Sequence, residues 1–87
     1  MERGVPDTEV DVHGMEVVEA EYEILSAARQ CKLDGDATLV VIHGHHGGTA
    51  IKDRIRSAKF RSWLKENGHD LAIASKSDPA TTTFTVR

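Results

Sequence analysis

The sequence predicts a single α/β domain whose elements follow the order β-α-β-α-α-β-β. With 87 residues, the chain is long enough for one domain only. Segments with apolar residues at helical spacing alternate with short apolar runs bounded by Gly, Asp and Pro. The opening β-α-β segment favours two parallel strands, and the last two strands are close enough in sequence to form an antiparallel hairpin.

The domain is predicted to begin after a short tail. Gly4 and Pro6 break regular structure, so we expect residues 1–7 to form a flexible N-terminus and residues 8–87 to form the domain. The first ten residues contain no apolar stretch, and no segment has the roughly 20 apolar residues that span a membrane. The single cysteine forms no internal disulfide, which suits a reducing compartment. We therefore expect a cytoplasmic protein.

The first strand and the first helix have the clearest patterns. In residues 8–12, Val10 and Val12 face one side of the strand, while Asp11 faces the other. A helix is predicted over residues 16–33 because apolar residues recur every three or four positions. This stripe comprises Val17, Ala20, Ile24, Ala27, Ala28 and Cys31, and is widened by Val18 and Leu25.

The second strand is followed by two short helices. Residues 37–42 are apolar on both faces, as expected for a central buried strand. Two apolar sets follow, and a straight helix at ~3.6 residues per turn would leave one of them exposed. The sets are Ile51, Ile55 and Ala58, then Phe60, Trp63 and Leu64. We predict a break near residues 57–59, with Thr49 as the cap of the first helix and Gly68 ending the second.

The last two strands are predicted over residues 70–75 and 82–86, with Phe84 and Val86 inward. Cys31 and the two large aromatic side chains, Phe60 and Trp63, are expected to belong to the core.

Charge is distributed unevenly along the chain. Residues 1–36 hold three basic and ten acidic residues, a net charge of −7, whereas residues 37–87 hold eight basic and four acidic residues, a net charge of +4. Six basic residues lie between positions 52 and 65. They form either a solvated helix face or a surface that faces an anion. The overall net charge of −3 argues for weak rather than strong affinity for nucleic acid.

Both predicted parallel strands are followed by the same dipeptide, His13-Gly14 and His43-Gly44. Ligands of open α/β sheets bind outside the carboxyl ends of the strands, where these residues are expected. Asp11 shares a face with His13 and can hold its tautomer, and two neighbouring histidines can act as acid and base in phosphodiester cleavage. The alternative is that each His-Gly step merely ends a strand.

The segment after His43 has the composition of an anion-binding loop. Glycines allow backbone amides to approach a ligand, and the following helix begins with Lys52 in its first turn. The residues expected to bind phosphate are Gly44, His45, Gly47, Gly48, Thr49, Lys52 and Arg56. Arg61 and Lys65, beyond the predicted break, are expected to contribute less. His45 and His46 suggest a metal site, but adjacent histidines point apart on an extended chain, so we predict neither a metal nor a cofactor.

Two motifs give the chain a family likeness. Residues 10–14 (VDVHG) resemble the Leu-Asp-x-His-Gly motif of the Smr (small MutS-related) domain. Residues 41–44 (VIHG), with the Gly-rich turn and residues 50–52 (AIK), resemble its His-Gly-x-Gly segment and the helix that follows. The likeness extends over residues 9–86. The turn here, HGHHGG, is one residue longer than the family pattern.

The resemblance implies a two-layer α/β fold, with helices on one face of a four-stranded mixed sheet, similar to the C-terminal domain of translation initiation factor three. It also implies nucleic-acid binding and, in several members, metal-independent endonuclease activity. By position, Asp11 and His13 take the catalytic-motif roles, and His43, Gly44, Gly47 and Gly48 take the backbone-binding roles. From the two His-Gly steps we also count His43, with Asp11 and His13, among the candidate catalytic residues. We therefore expect a monomer or weak homo-oligomer that binds structured RNA or branched DNA and nicks it. The alternatives are a non-catalytic module that binds nucleic acid or protein, and a phosphatase-like enzyme, for which the sequence offers no nucleophile.

Overall fold

The computed structural model of the chain describes residues 7–44, 49–76 and 79–86. These residues contain β1 (Asp7–Asp11), α1 (Val17–Asp34), β2 (Thr38–Ile42), α2 (Ala50–Ile55), α3 (Ala58–Glu66), β3 (Leu71–Ser75) and β4 (Thr81–Val86). The predicted element order is confirmed, and the boundaries of the strands and of α1 differ from the predicted ones by about one residue. No helix in the described part of the chain is long and apolar enough to cross a membrane.

The four strands form one mixed sheet in the order β1-β2-β4-β3. β1 is parallel to β2, and β4 is antiparallel to both of its neighbours. It follows that β1, β2 and β3 run in the same direction and end at the same side of the sheet, where β4 begins. We call this side the carboxyl edge. Both His-Gly steps lie there, as predicted.

Helices cover only one face of the sheet, which confirms the predicted two-layer fold. α1 contacts β1 and β2, α3 contacts β3, and the helices contact one another in sequence. Leu39, Val41 and Phe84 point into this layer from the two central strands and are fully buried. On the opposite face, which we call the open face, Val40 and Ile42 are half-exposed. β2 is therefore buried on one side only, and the expectation of a strand buried on both sides was wrong.

The buried stripe of α1 is narrower than predicted. Its buried members are Ala20, Ile24, Ala28 and Cys31. Val18 is 63% exposed, so its inclusion in the stripe was wrong. The sheet is flat compared with the curvature of a helix, so it covers fully only the middle of the stripe, while Val17, Leu25 and Ala27 at its margins are half-buried.

The break between α2 and α3 is confirmed. Ser57 stands between them: its hydroxyl donates to the carbonyl of Arg54 at 2.6 Å and accepts from the backbone N–H of Phe60 at 3.2 Å. One side chain therefore ends one helix and caps the next. The change of direction allows Ile55 and Phe60 to be buried together. Gly68, with φ of +91°, follows the end of α3 in the left-handed conformation, as predicted.

Candidate functional site

Asp11 and His13 form a close pair at the carboxyl edge. The parallel ladder continues one residue past β1, since the N–H of Val12 donates to the carbonyl of Ile42 at 2.9 Å. The chain then turns, with the N–H of Met15 donating to the carbonyl of Val12 at 3.2 Å, and the side chain of His13 reaches back to the end of its own strand. Nδ1 of His13 lies 2.5 Å from Oδ1 of Asp11, and the backbone N–H of His13 donates to the same oxygen at 3.1 Å. The side chains are 68% and 52% exposed, so both are open to a ligand.

The hydrogen bonds set the charge of Asp11 and the position of the proton on Nδ1 of His13. The side-chain hydrogen bond from His13, followed by the backbone one, lowers the pKa of Asp11. The carboxylate is therefore ionised at neutral pH and acts only as an acceptor, so Nδ1 of His13 carries its proton. In the neutral ring, Nε2 is then the nitrogen that is available to accept a proton from another molecule.

His43 is buried on the other side of the sheet. Asp11 is in register with Ile42 and faces the open side, so the next residue, His43, points into the helix layer. It is 5% exposed. The structure thus brings Asp11 and His13 together, whereas the imidazole of His43 is separated from them by the sheet.

Both ring nitrogens of His43 have partners in the protein. Nδ1 lies 2.9 Å from the carbonyl oxygen of Gly44, and Nε2 lies 3.1 Å from the hydroxyl of Thr82. Nε of Arg56 donates to the same hydroxyl at 2.8 Å. Because a carbonyl oxygen only accepts, Nδ1 donates to Gly44, and the Thr82 hydroxyl accepts from Arg56 while it is bonded to Nε2. This network holds the start of the segment after β2.

Gly44 connects the network to the exposed pair. Its φ is +74°, and a Cβ at this position would lie 3.2 Å from the Cβ of His13. The backbone N–H groups of His43 and Gly44 both donate to the carbonyl of Ala80 at 3.0 Å. The backbone of Gly44 is therefore held against the side chain of His13 in a conformation that favours glycine.

Only some of the predicted phosphate-binding residues lie in the described part of the chain. His45, Gly47 and Gly48, like His46, lie outside the described residues. Thr49 occupies the cap position of α2, as predicted, but its hydroxyl donates to Asp53 at 2.9 Å. Phosphate binding by these residues, by Lys52 and by Gly44 stays a prediction.

The basic segment does not form one continuous surface. Nε of Arg54 is paired with Glu21 of α1. Arg56 is fixed to β4 by its contact with Thr82 and by a 3.0 Å hydrogen bond from its guanidinium to the carbonyl of Thr81. Arg61 and Lys65 line a groove between α3 and β3, and the guanidinium of Arg61 also donates to the carbonyl of Arg56 at 3.1 Å. Within residues 7–44, 49–76 and 79–86, no group of three or more His, Cys, Asp or Glu side chains is placed to hold a metal ion.

Two contacts near the site were not predicted from the sequence, those of Thr82 and the pairing of Arg54 with Glu21. Thr82 is fully buried and connects His43 to Arg56. The alternation that placed Phe84 and Val86 inward also places Thr82 inward, and a buried hydroxyl requires a partner. The pairing of Arg54 with Glu21 joins positions 33 residues apart, and no local pattern marks it.

Comparisons with known proteins agree with this architecture. The family model described as Smr domain matches residues 10–80. The crystal structure of the Smr domain of Thermus thermophilus MutS2 is 27% identical and superposes with a TM-score of 0.67, covering 92% of this chain and 98% of that one. The solution structure of the SMR domain of NEDD4-binding protein 2 is 21% identical, with a TM-score of 0.64, covering 100% of this chain and 93% of that one, and it supports the fold alone. No curated protein gave a significant match.

Proposed function

The chain belongs to the Smr domain family of nucleic-acid-binding, nuclease-like modules, and we propose that it binds structured RNA or branched DNA and nicks one strand without a metal ion. The observation that carries this proposal is the exposed pair of Asp11 and His13. An ionised carboxylate that holds Nδ1 of a histidine leaves Nε2 as a general base on an open surface.

In this proposal, His13 moves the proton of the reaction. Nε2 accepts the proton of the attacking hydroxyl, which is water or the ribose 2′-hydroxyl, as its oxygen bonds to phosphorus. The P–O bond to the leaving oxygen breaks, and that oxygen takes up the proton from the imidazolium. Asp11 keeps the ring in the required tautomer and stabilises its positive charge during the transfer. The step involves no change of oxidation state, so it needs no oxidant or reductant.

His43 is assigned a positioning role. Its ring is buried and bonded on both sides, so it cannot reach a phosphate without breaking the contacts with Thr82 and Gly44. It sets the backbone of Gly44, which in turn abuts His13. This differs from the acid–base role that the two His-Gly steps predicted for it.

The burial of His43 also favours a second candidate, a module that binds nucleic acid without cutting it. Acid–base cleavage is most efficient with two titrating groups near the phosphate, and in the described residues the carboxyl edge exposes one imidazole, that of His13.

The experiment that separates the two is an incubation of the purified chain, in EDTA, with end-labelled stem–loop RNA, four-way junction DNA and plain duplex DNA. Nicks in a structured substrate, absent with H13A and retained with H69A, support the proposal. His69 lies after α3, so H69A controls for the loss of a histidine elsewhere. Binding without nicks supports the binding module, and neither binding nor nicks overturns both.

A further inference from the structure

A group of basic side chains lies between α3 and the edge strand β3, apart from the exposed pair of Asp11 and His13. Here the surface forms a groove of about 610 Å³. Its charged lining residues are Arg61 and Lys65 from α3, Lys76 just after β3, and Asp70 just before it. Three cations thus face one carboxylate, whereas the chain as a whole is acidic. Leu71 and Ile73 give the groove an apolar floor.

From this lining we infer that the groove binds the continuation of the nucleic-acid strand whose phosphate lies at Asp11 and His13. The inference rests on the proposed function. Cations above an apolar floor suit a polyanion whose bases carry flat apolar faces, because phosphates meet the charges while a base covers the aliphatic side chains.

The sheet topology brings one end of this groove to the edge of the sheet that carries the exposed pair. β3 runs parallel to β1 and β2, so Lys76 lies at the carboxyl edge, as do His13 and Gly44. Three strand spacings separate β1 from β3, which amounts to about 14 Å, or about four nucleotides at the stacked rise of 3.4 Å. Between the two sites, the guanidinium of Arg56 is fixed at the start of β4 and adds positive charge along this line.

The structure disfavours an added peptide strand as the occupant. β3 is an edge strand, and an extended peptide pairs best with an edge whose backbone is regular. The register of β3 shifts between Ile73 and Ser75, and Lys76 follows directly. A bulge and a lysine at an edge are features that discourage strand addition.

The test measures how affinity for fluorescein-labelled single-stranded RNA of 3 and 12 nucleotides depends on salt. The groove variant K65Q/K76Q removes two charges from exposed positions, and R29Q/K59Q removes two charges from exposed positions outside the groove. For the 12-mer, K65Q/K76Q is expected to reduce the slope of log K against log salt by about 1.4, or 0.7 per lost phosphate contact. The 3-mer is too short to reach the groove from His13. For the 3-mer, the slope measured with K65Q/K76Q should therefore equal the slope measured with R29Q/K59Q.

The outcomes are distinct. A slope for K65Q/K76Q equal to that of R29Q/K59Q, in a protein that still binds the 12-mer, overturns the groove but leaves the proposed function intact. A wild-type chain that binds neither oligonucleotide nor stem–loop RNA overturns the proposed function and the groove with it. A 12-residue oligoglutamate that displaces the 12-mer from the wild type but not from K65Q/K76Q would show that the groove takes an acidic peptide.

Discussion

One oxygen of Asp11, Oδ1, accepts both hydrogen bonds that His13 can direct back along its own strand, from Nδ1 at 2.5 Å and from the backbone N–H at 3.1 Å. The backbone bond sets the turn after β1, and the ring bond sets the tautomer. The hydrogen bonds of the pair thus come from two residues of one strand end, and the backbone of Gly44 lies against the His13 side chain.

The first prediction concerns the pKa of Asp11. His13 lowers it below the 3.8 of an unperturbed aspartate, mainly through the ring hydrogen bond. In H13A the ring bond is lost and the backbone bond remains, so the pKa should rise towards 3.8 without reaching it. The carboxyl ¹³C shift of Asp11, followed by NMR from pH 2 to pH 6, measures this change.

The sign of the linkage follows from the lowered pKa. The ionised carboxylate stabilises the folded state at pH values above 3.8, and this contribution disappears as the pH falls through the lower, folded-state pKa. An Asp11 pKa that is the same in H13A and in the wild type would contradict the arrangement of the pair.

The second prediction separates function from stability at His13. Because its side chain is exposed, H13A should change the free energy of unfolding by no more than about 0.5 kcal/mol, while any nicking activity is lost. Urea unfolding and a nicking assay on the same preparation give both quantities. A loss of several kcal/mol would mean that His13 serves the core.

The third prediction is that nicking needs no divalent metal. An imidazole that accepts the proton of the attacking hydroxyl should work in EDTA. Because the proposed mechanism has one titrating group, the rate should rise with pH between roughly pH 5 and 8 and then level off. Asp11 stays ionised over that whole range because its pKa is lowered, so it should not produce the acidic limb. Activity that is abolished by EDTA and restored by zinc or manganese would contradict this and direct attention to His45 and His46.

The fourth prediction is that His43 differs from His13. H43A should destabilise the domain, because it removes a partner from the Gly44 carbonyl and one of the two side-chain partners of the buried Thr82 hydroxyl, the other being Arg56. A buried polar group left without its partner costs about 1–3 kcal/mol. Urea unfolding of H43A, with H13A as the matched control, tests the contrast; equal stabilities would show that the network does not matter to the fold.

Local patterns sufficed for most of the fold. The alternation of Val10 and Val12 with charged residues placed Asp11 correctly on the open face. The two apolar sets around Ile55 and Phe60 could not be buried by one straight helix, which revealed the break at Ser57. The insertion of β4 between β2 and β3 was not foreseen, because strand order depends on contacts between segments that are distant in sequence.

The site was less predictable, and the reason is the apolar run of β2. Leu39, Val40, Val41 and Ile42 are all apolar, so nothing in the run shows which alternate residues face the helices. The side on which His43 lies depends on that choice. The interpretation that joined His43 to His13 used only the strand ends, which lie together, whereas the side chains lie on opposite faces of the sheet.

The last prediction tests whether Gly44 supports His13, and the chain offers a matched control. Gly44 and Gly35 both have φ of +74°, so an alanine at either position should cost about 1–2 kcal/mol in backbone strain. At Gly35 the added Cβ meets nothing within 4 Å, whereas at Gly44 it lies 3.2 Å from the Cβ of His13, which must move by a few tenths of an ångström. G44A and G35A should therefore lose similar stability, but only G44A should shift the NMR signals of the His13 ring and of the Asp11 carboxyl. Nicking, measured well below both unfolding temperatures, should fall in G44A and stay near the wild-type rate in G35A. Equal His13 shifts in the two variants would mean that the exposed pair is independent of the segment that follows β2.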